Sequence, residues 1–231
     1  MRAEPKPLVG NRLALAGAVI YLLEWVGILG FNSGDVPGAQ GAKPAEIVAQ
    51  YSQHATGIAL LAGWLSLVLL GRILFVAGIR DGLRRSGAET LLADFALGAM
   101  VVSVALEIAA YAVAGGAAQA AARGADQSTI VGIDAAANVL DLTIIGPIGV
   151  SVLVASIAML RSRLFPVWLC WLGLAVGIVG SVNGVINVPA FQAGGSFYQA
   201  SQILDVGALA AWVWMLATGV VLFRAAGGQP K

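Results

Sequence analysis

Six stretches of twenty or more predominantly apolar residues recur along this 231-residue chain, at about 11–31, 57–79, 90–114, 131–160, 166–188 and 201–223. Each is long enough to cross a hydrocarbon core of ~30 Å at a helical rise of 1.5 Å per residue. Inside lipid no water is at hand for exposed peptide groups, so such runs must close their backbone hydrogen bonds within the segment, as helices. The composition agrees: 59% of residues are hydrophobic and 11% charged, and the mean hydropathy is +0.87, far from an ordinary water-soluble domain. The expected fold is all-α, a polytopic transmembrane helical bundle of six spans forming a single domain over residues 1–231. The first run is too long for the apolar core of a signal peptide, contains Glu24 and is followed by no well-placed small-residue cleavage site, so it counts as a helix of the mature protein.

Basic residues alternate between the loops. Arg2, Lys6, Arg12, Arg80, Arg84, Arg85, Arg161, Arg163, Arg224 and Lys231 flank one set of span ends, whereas the other set holds only Lys43 and Arg123. By the positive-inside rule this bias places both the N and the C terminus in the cytoplasm. The formal net charge of +1 indicates neither a nucleic-acid partner nor an acidic one; membrane lipid is the expected surrounding. One cysteine, Cys170, and one histidine, His54, exclude an internal disulfide and any zinc or haem site built on several such ligands. No cofactor and no metal ligand set is assigned.

Between spans one and two, Pro44 followed by Glu46, Ile47, Tyr51 and His54 predicts a short surface helix. The Ala-rich stretch at 115–129 is expected to prolong the neighbouring helices, and Pro147 to kink span four. Asp94 and Arg72 are placed near the cytoplasmic ends of adjacent spans, as an ion pair or with Arg72 snorkelling to the surface.

Ionisable residues within spans are the better pointer to function. At 1.5 Å per residue, Glu24 lies ~18 Å, Glu107 ~25 Å and Asp141 ~30 Å from the cytoplasmic ends of their helices, with Asn183 and Asp205 at ~25 and ~28 Å. Asp134, Asn138 and Asp141 form one i, i+4, i+7 stripe; Asn183 and Asn187, Glu107 and Tyr111, Tyr21 and Glu24, and Tyr198, Gln202 and Asp205 repeat the pattern. Because a lipid-facing charge costs at least ~2.5 kcal/mol near the bilayer centre, these stripes are expected to face one another around an outward-facing acidic cavity. Glu24, Glu107 and Asp141 are the candidate catalytic carboxyls. Tyr21, Trp25, Tyr111, Asp134, Asn138, Asn183, Asn187, Gln202 and Asp205 are the candidate substrate-binding residues.

Carboxyls crowded into a low-dielectric site cannot all ionise, so a proton donor is retained beside a base. Such a layer suits acid and base chemistry on a lipophilic or isoprenoid-like molecule: cyclisation, isomerisation or hydrolysis. It equally suits a proton-coupled or cation-binding transporter, for which six spans would call for a homo-oligomer, and a non-catalytic membrane accessory subunit is a further reading. The segments "PAEIVAQYSQHATGI", "GIRDGLRRSGAE" and "RLFPVWLCWLGLAVGI" together are similar to those of uncharacterised six-helix integral membrane proteins of actinobacteria and other high-GC bacteria. That resemblance implies a multi-pass protein of the bacterial cytoplasmic (inner) membrane and carries over no activity and no functional residue.

Overall fold

The computed structural model describes residues 8–34, 36–205 and 207–227. It is all-helical, without a strand among the described residues, and has six helical segments long and apolar enough to cross a membrane: Leu13–Gly30, Ala55–Arg85, Leu91–Ala122, Gln127–Ser162, Val167–Ala193 and Gly195–Gly227. These are called spans one to six. Leu29, Leu67, Leu91, Val185 and Leu209 are among the many large apolar side chains left exposed on the outside of the bundle, a surface that suits lipid and not water.

Most of the spans outrun the apolar runs from which they were expected, because a helix ends at a cap and not where hydropathy falls. Span two continues from 79 to Arg85, span three from 114 through alanines, the best helix formers, to Ala122, and span five passes through Pro189 to Ala193. Span four begins at Gln127 because Asp126 caps it: the carboxylate accepts from Thr129 N at 3.0 Å and from the Ser128 and Thr129 hydroxyls. Those bonds, Ser128's first, hold the Asp126 carboxyl well below the usual range. The surface helix expected after Pro44 runs Pro44–Gln53, with proline in its first turn and Glu46 accepting from Lys43 N at 2.9 Å.

Neighbouring spans run antiparallel and meet through glycines. Gly17 lies against Phe75 and Gly71, Gly78 against Ala14, Gly219 against Leu15, and Gly10 against Leu222 and Ala226. Spans four and five approach most closely, with Gly149 on Ser181, Gly184 on Gly146 and Gly177 on Leu153. A β-carbon on Gly184 would lie 2.2 Å from the Gly146 α-carbon, so the helices fit only because small residues let their backbones touch. Gly184→Leu is therefore expected to lower stability by about 1–3 kcal/mol, read as a lower thermal midpoint in mild detergent. Gly116→Ala, where a β-carbon meets open space, is expected to leave that midpoint unchanged.

The first and last described residues lie at one end of the bundle. There Val9 N donates to Ser86 Oγ at 2.8 Å, Asn11 Nδ2 donates to Gly78 O at 2.7 Å, and Asp81 pairs with Arg84 and Arg85 at 3.0 and 2.9 Å. The opposite end, called the loop end below, carries residues 31–43, the Pro44–Gln53 helix and the turns at 123–126 and 194.

Among the described residues, three spans are interrupted. Span one breaks at Leu23, span two at Leu69 and span four at Ile144. At the first break Leu23 O accepts from the Trp64 indole of span two at 2.7 Å and from Val26 N at 3.1 Å, in place of the Gly27 N–H of a regular helix. Gly27 is required there, since a β-carbon would lie 2.5 Å from Trp64 Cδ1. At the third, Pro147 has no N–H for the Thr143 carbonyl, and Ile144 N turns back to Asp141 O at 3.2 Å. The kink expected from Pro147 is thus present, one turn before the proline.

A cavity where three broken helices meet

Each interruption adjoins an ionisable group: Glu24 follows Leu23, Arg72 lies three residues past Leu69, and Asp141 three residues before Ile144. All three line one cavity of about 270 Å³, together with Glu107 and Tyr111 of span three, Tyr21 of span one and Asn183 of span five. Irregular helix geometry is costly in lipid and persists where it serves a protected interior site.

The expectation that Arg72 lies near the cytoplasmic end, paired with Asp94 or snorkelling to the surface, is corrected by the structure. Because span two continues to Arg85, Arg72 sits thirteen residues from that end, about 20 Å into the bundle. Its side chain is 2% exposed and forms an ion pair with Glu107, while its guanidinium also lies 4.8 Å from the Tyr21 ring centroid. Trp212 stacks on Tyr21 with centroids 3.9 Å apart at 14°. Asp94 pairs instead with Arg80, in a partly exposed bridge near the terminal end. Glu24 Oε2, Arg72 Nε and Trp214 Nε1 are buried in this lining without a hydrogen-bond partner.

The lining is asymmetric. On the side toward the termini it is apolar, formed by Phe75, Met100, Val152, Val176, Trp214 and Met215, whereas Glu24, Tyr111, Asp141 and Asn183 lie toward the loop end. Tyr21 and Glu24 are within hydrogen-bonding reach, and Glu24, Tyr111 and Asp141 within electrostatic range of one another. Below the cavity Ser151 Oγ donates to Ala96 O at 2.7 Å, so that hydroxyl is spent within the helix contact.

Other candidates from the sequence are placed elsewhere. Asp134 and Asn138 do not line the cavity. The Asp134 carboxylate accepts from Gly38 N at 2.7 Å, Tyr51 Oη at 2.8 Å and Asn138 Nδ2 at 3.1 Å, tying the 31–43 loop and the surface helix to span four. Burial, and then the bond to Asp134, pushes the Tyr51 phenol well above its ordinary range. Asp134, Asn138 and Asp141 share one unbroken helical stretch, Gln127–Thr143, but the stripe reaches the loop end of the bundle, where Asp134 and Asn138 hold the loop and only Asp141 lines the cavity. Trp25 is 44% exposed on the outer surface; Asn187 is buried outside the cavity lining and Gln202 is exposed. The side chain of Asp205 lies outside the described residues. His54 Nδ1 lies 2.9 Å from Asn32 O, a contact that requires the proton on Nδ1 and makes this histidine a loop fastener.

Asp134→Ala strands the Gly38 N–H and the Tyr51 hydroxyl. Amide exchange over residues 36–53 is expected to accelerate on the order of tenfold or more, measured by mass spectrometry, with the cavity segments of spans one to four unchanged.

Sequence reasoning missed Arg72, Phe75, Trp212 and Trp214 as lining residues. The available signal was Arg72 itself, a charge flanked by "VLLG" and "ILFVAG", and the paired tryptophans in "AAWVWML". No family model, curated protein or solved structure matches this chain.

Proposed function

We propose that this integral membrane protein is an acid–base enzyme acting on a lipophilic small molecule held in the cavity between its spans. The observation that carries the reading is the convergence of Glu24, Asp141 and the Arg72–Glu107 pair on one cavity with an apolar floor. Glu107 is engaged by Arg72, so it serves as the counter-charge that fixes the guanidinium, and proton exchange falls to Glu24 and Asp141. Glu24, with its orphaned Oε2, is the donor, and Asp141, beside Tyr111, the acceptor. A proton added to one carbon of an alkene and removed from another needs no co-reactant, which makes isomerisation or cyclisation the economical reaction. With the termini in the cytoplasm, as the basic residues indicate, the carboxyls would stand toward the outer leaflet.

Broken helices around buried charges also support a second reading, a proton-coupled transporter with a midplane site. Transport would need a polar route to the terminal end, and the lining there is apolar, with Asp94 bonded to Arg80. The test is purification in mild detergent followed by mass spectrometry of co-purifying lipophilic molecules. Wild type is expected to retain a compound that Asp141→Asn and Glu24→Gln release or retain unconverted; identical profiles from all three would overturn the assignment.

A further inference from the structure

Resting on the acid–base reading, we infer that the molecule this cavity takes bears a positive centre on a hydrocarbon body, carried permanently as an ammonium or formed as a carbocation when Glu24 protonates a double bond. The charge inventory points there. Three carboxyls and one guanidinium line the cavity, and that guanidinium is neutralised by Glu107 and laid over Tyr21. The orphaned Arg72 Nε and Trp214 Nε1 each offer one hydrogen-bond donor, whereas the orphaned Glu24 Oε2 belongs to a carboxyl that becomes a bare acceptor once it has given up its proton. An anion entering here would meet the Asp141 carboxylate; a cation is matched by it, and by Glu24 once that carboxyl has given up its proton. Tyr21 is already covered by Arg72 and Trp212, but four further aromatic rings, those of Phe75, Tyr111, Trp212 and Trp214, share the lining, and aromatic faces attract cations in a desolvated site. Apart from Asn183, the remaining wall, with Ile144, Ile148, Val152, Val176, Leu204 and Met215, offers apolar contact to the body of the molecule.

The step balances. The Glu24 proton and the π pair of the alkene form a new C–H bond, leaving the adjacent carbon cationic. Loss of a proton from a neighbouring carbon to the Asp141 carboxylate restores a double bond at a new position. The enzyme ends with its proton moved from Glu24 to Asp141, and transfer back through bound water or Tyr111 resets it.

The test compares benzyltrimethylammonium with its neutral carbon isostere neopentylbenzene and with phenylacetate, using quenching of tryptophan fluorescence in the full-length protein in nanodiscs. The cation is expected to bind about tenfold or more tightly than the neutral isostere, with phenylacetate weakest, and Glu24→Gln to narrow the gap. Added benzyltrimethylammonium should also block conversion of the co-purifying alkene if the positive centre is a carbocation, and be displaced by the co-purifying compound if that compound is an amine. Equal or tighter binding of neopentylbenzene overturns the inference while leaving an apolar substrate site intact. Tightest binding of phenylacetate overturns it in favour of Arg72 as an anion site, and no quenching by any of the three removes the ligand cavity and the acid–base reading together. The comparison in wild type is decisive even if the variant does not fold.

Discussion

Arg72→Met is expected to destabilise the bundle by about 3–5 kcal/mol, the usual consequence of leaving one member of a buried ion pair without its partner. The loss should appear as a fall on the order of ten degrees in the thermal midpoint in mild detergent. Glu107 would remain as an uncompensated carboxylate, 7% exposed, and Tyr21 would lose the cation over its ring. The double variant Arg72→Met, Glu107→Met should recover most of the loss, because a buried pair exchanged whole for apolar side chains is often neutral. Arg80→Met is the informative contrast. Its bridge to Asp94 is 36% and 41% exposed, so solvent screening leaves it worth less than about 1 kcal/mol. Similar losses from the two single variants would mean that the Arg72 site is wetted and not enclosed.

The second large effect is on proton transfer. In D2O the co-purifying lipophile is expected to acquire deuterium at carbon when incubated with the wild-type protein, since each protonation delivers an exchangeable proton from Glu24. Glu24→Gln and Asp141→Asn should each slow this incorporation by about 10²–10⁴, the range for removing a general acid or base. Both substitutions keep side-chain volume, so the thermal midpoint should move far less than the rate. Glu89→Gln, exposed at the terminal end, should leave the rate unchanged. Mass spectrometry of the extracted compound measures the label. Incorporation at the wild-type rate in both variants would refute the roles given to these carboxyls.

Much of this architecture is written in the spacing of the sequence. Twenty-residue apolar runs can only be helices in lipid, so the six spans were legible, and so was the proline that bends span four. The termination of each helix was less legible, because the Asp126 cap and the alanines before Ala122 lie beyond the fall in hydropathy. That shortfall misplaced Arg72, whose depth depends on where span two ends. The site was legible to the extent that helical phase governs it. Glu24, Glu107, Tyr111, Asp141 and Asn183 share a layer and line one cavity, as an inward-facing set must when lipid penalises charge. Near a helix end, however, phase cannot tell an inward face from one that fastens a loop. Asp134 and Asn138 lie on the same stripe as Asp141 and meet Gly38 and Tyr51 instead, contacts that depend on how residues 31–53 fold back. The aromatic lining was hidden for another reason: Trp212 and Trp214 are two residues apart and fit no single helical stripe, yet both reach the cavity.

On the function proposed above, Glu24 and Asp141 exchange protons with a lipophilic molecule inside the bundle while Glu107 is held in its pair with Arg72. A lipophilic carbodiimide, which reacts with protonated carboxyls, tests this assignment when the modified residues are mapped by mass spectrometry against a water-soluble carbodiimide. The lipophilic reagent is expected to modify Glu24, the protonated member of the pair, with protection by benzyltrimethylammonium, and to leave Glu107 unmodified in its pair with Arg72, while the water-soluble reagent is confined to exposed carboxyls such as Glu46 and Glu89. Modification of Glu107 ahead of Glu24, or no intramembrane modification at all, would contradict this assignment.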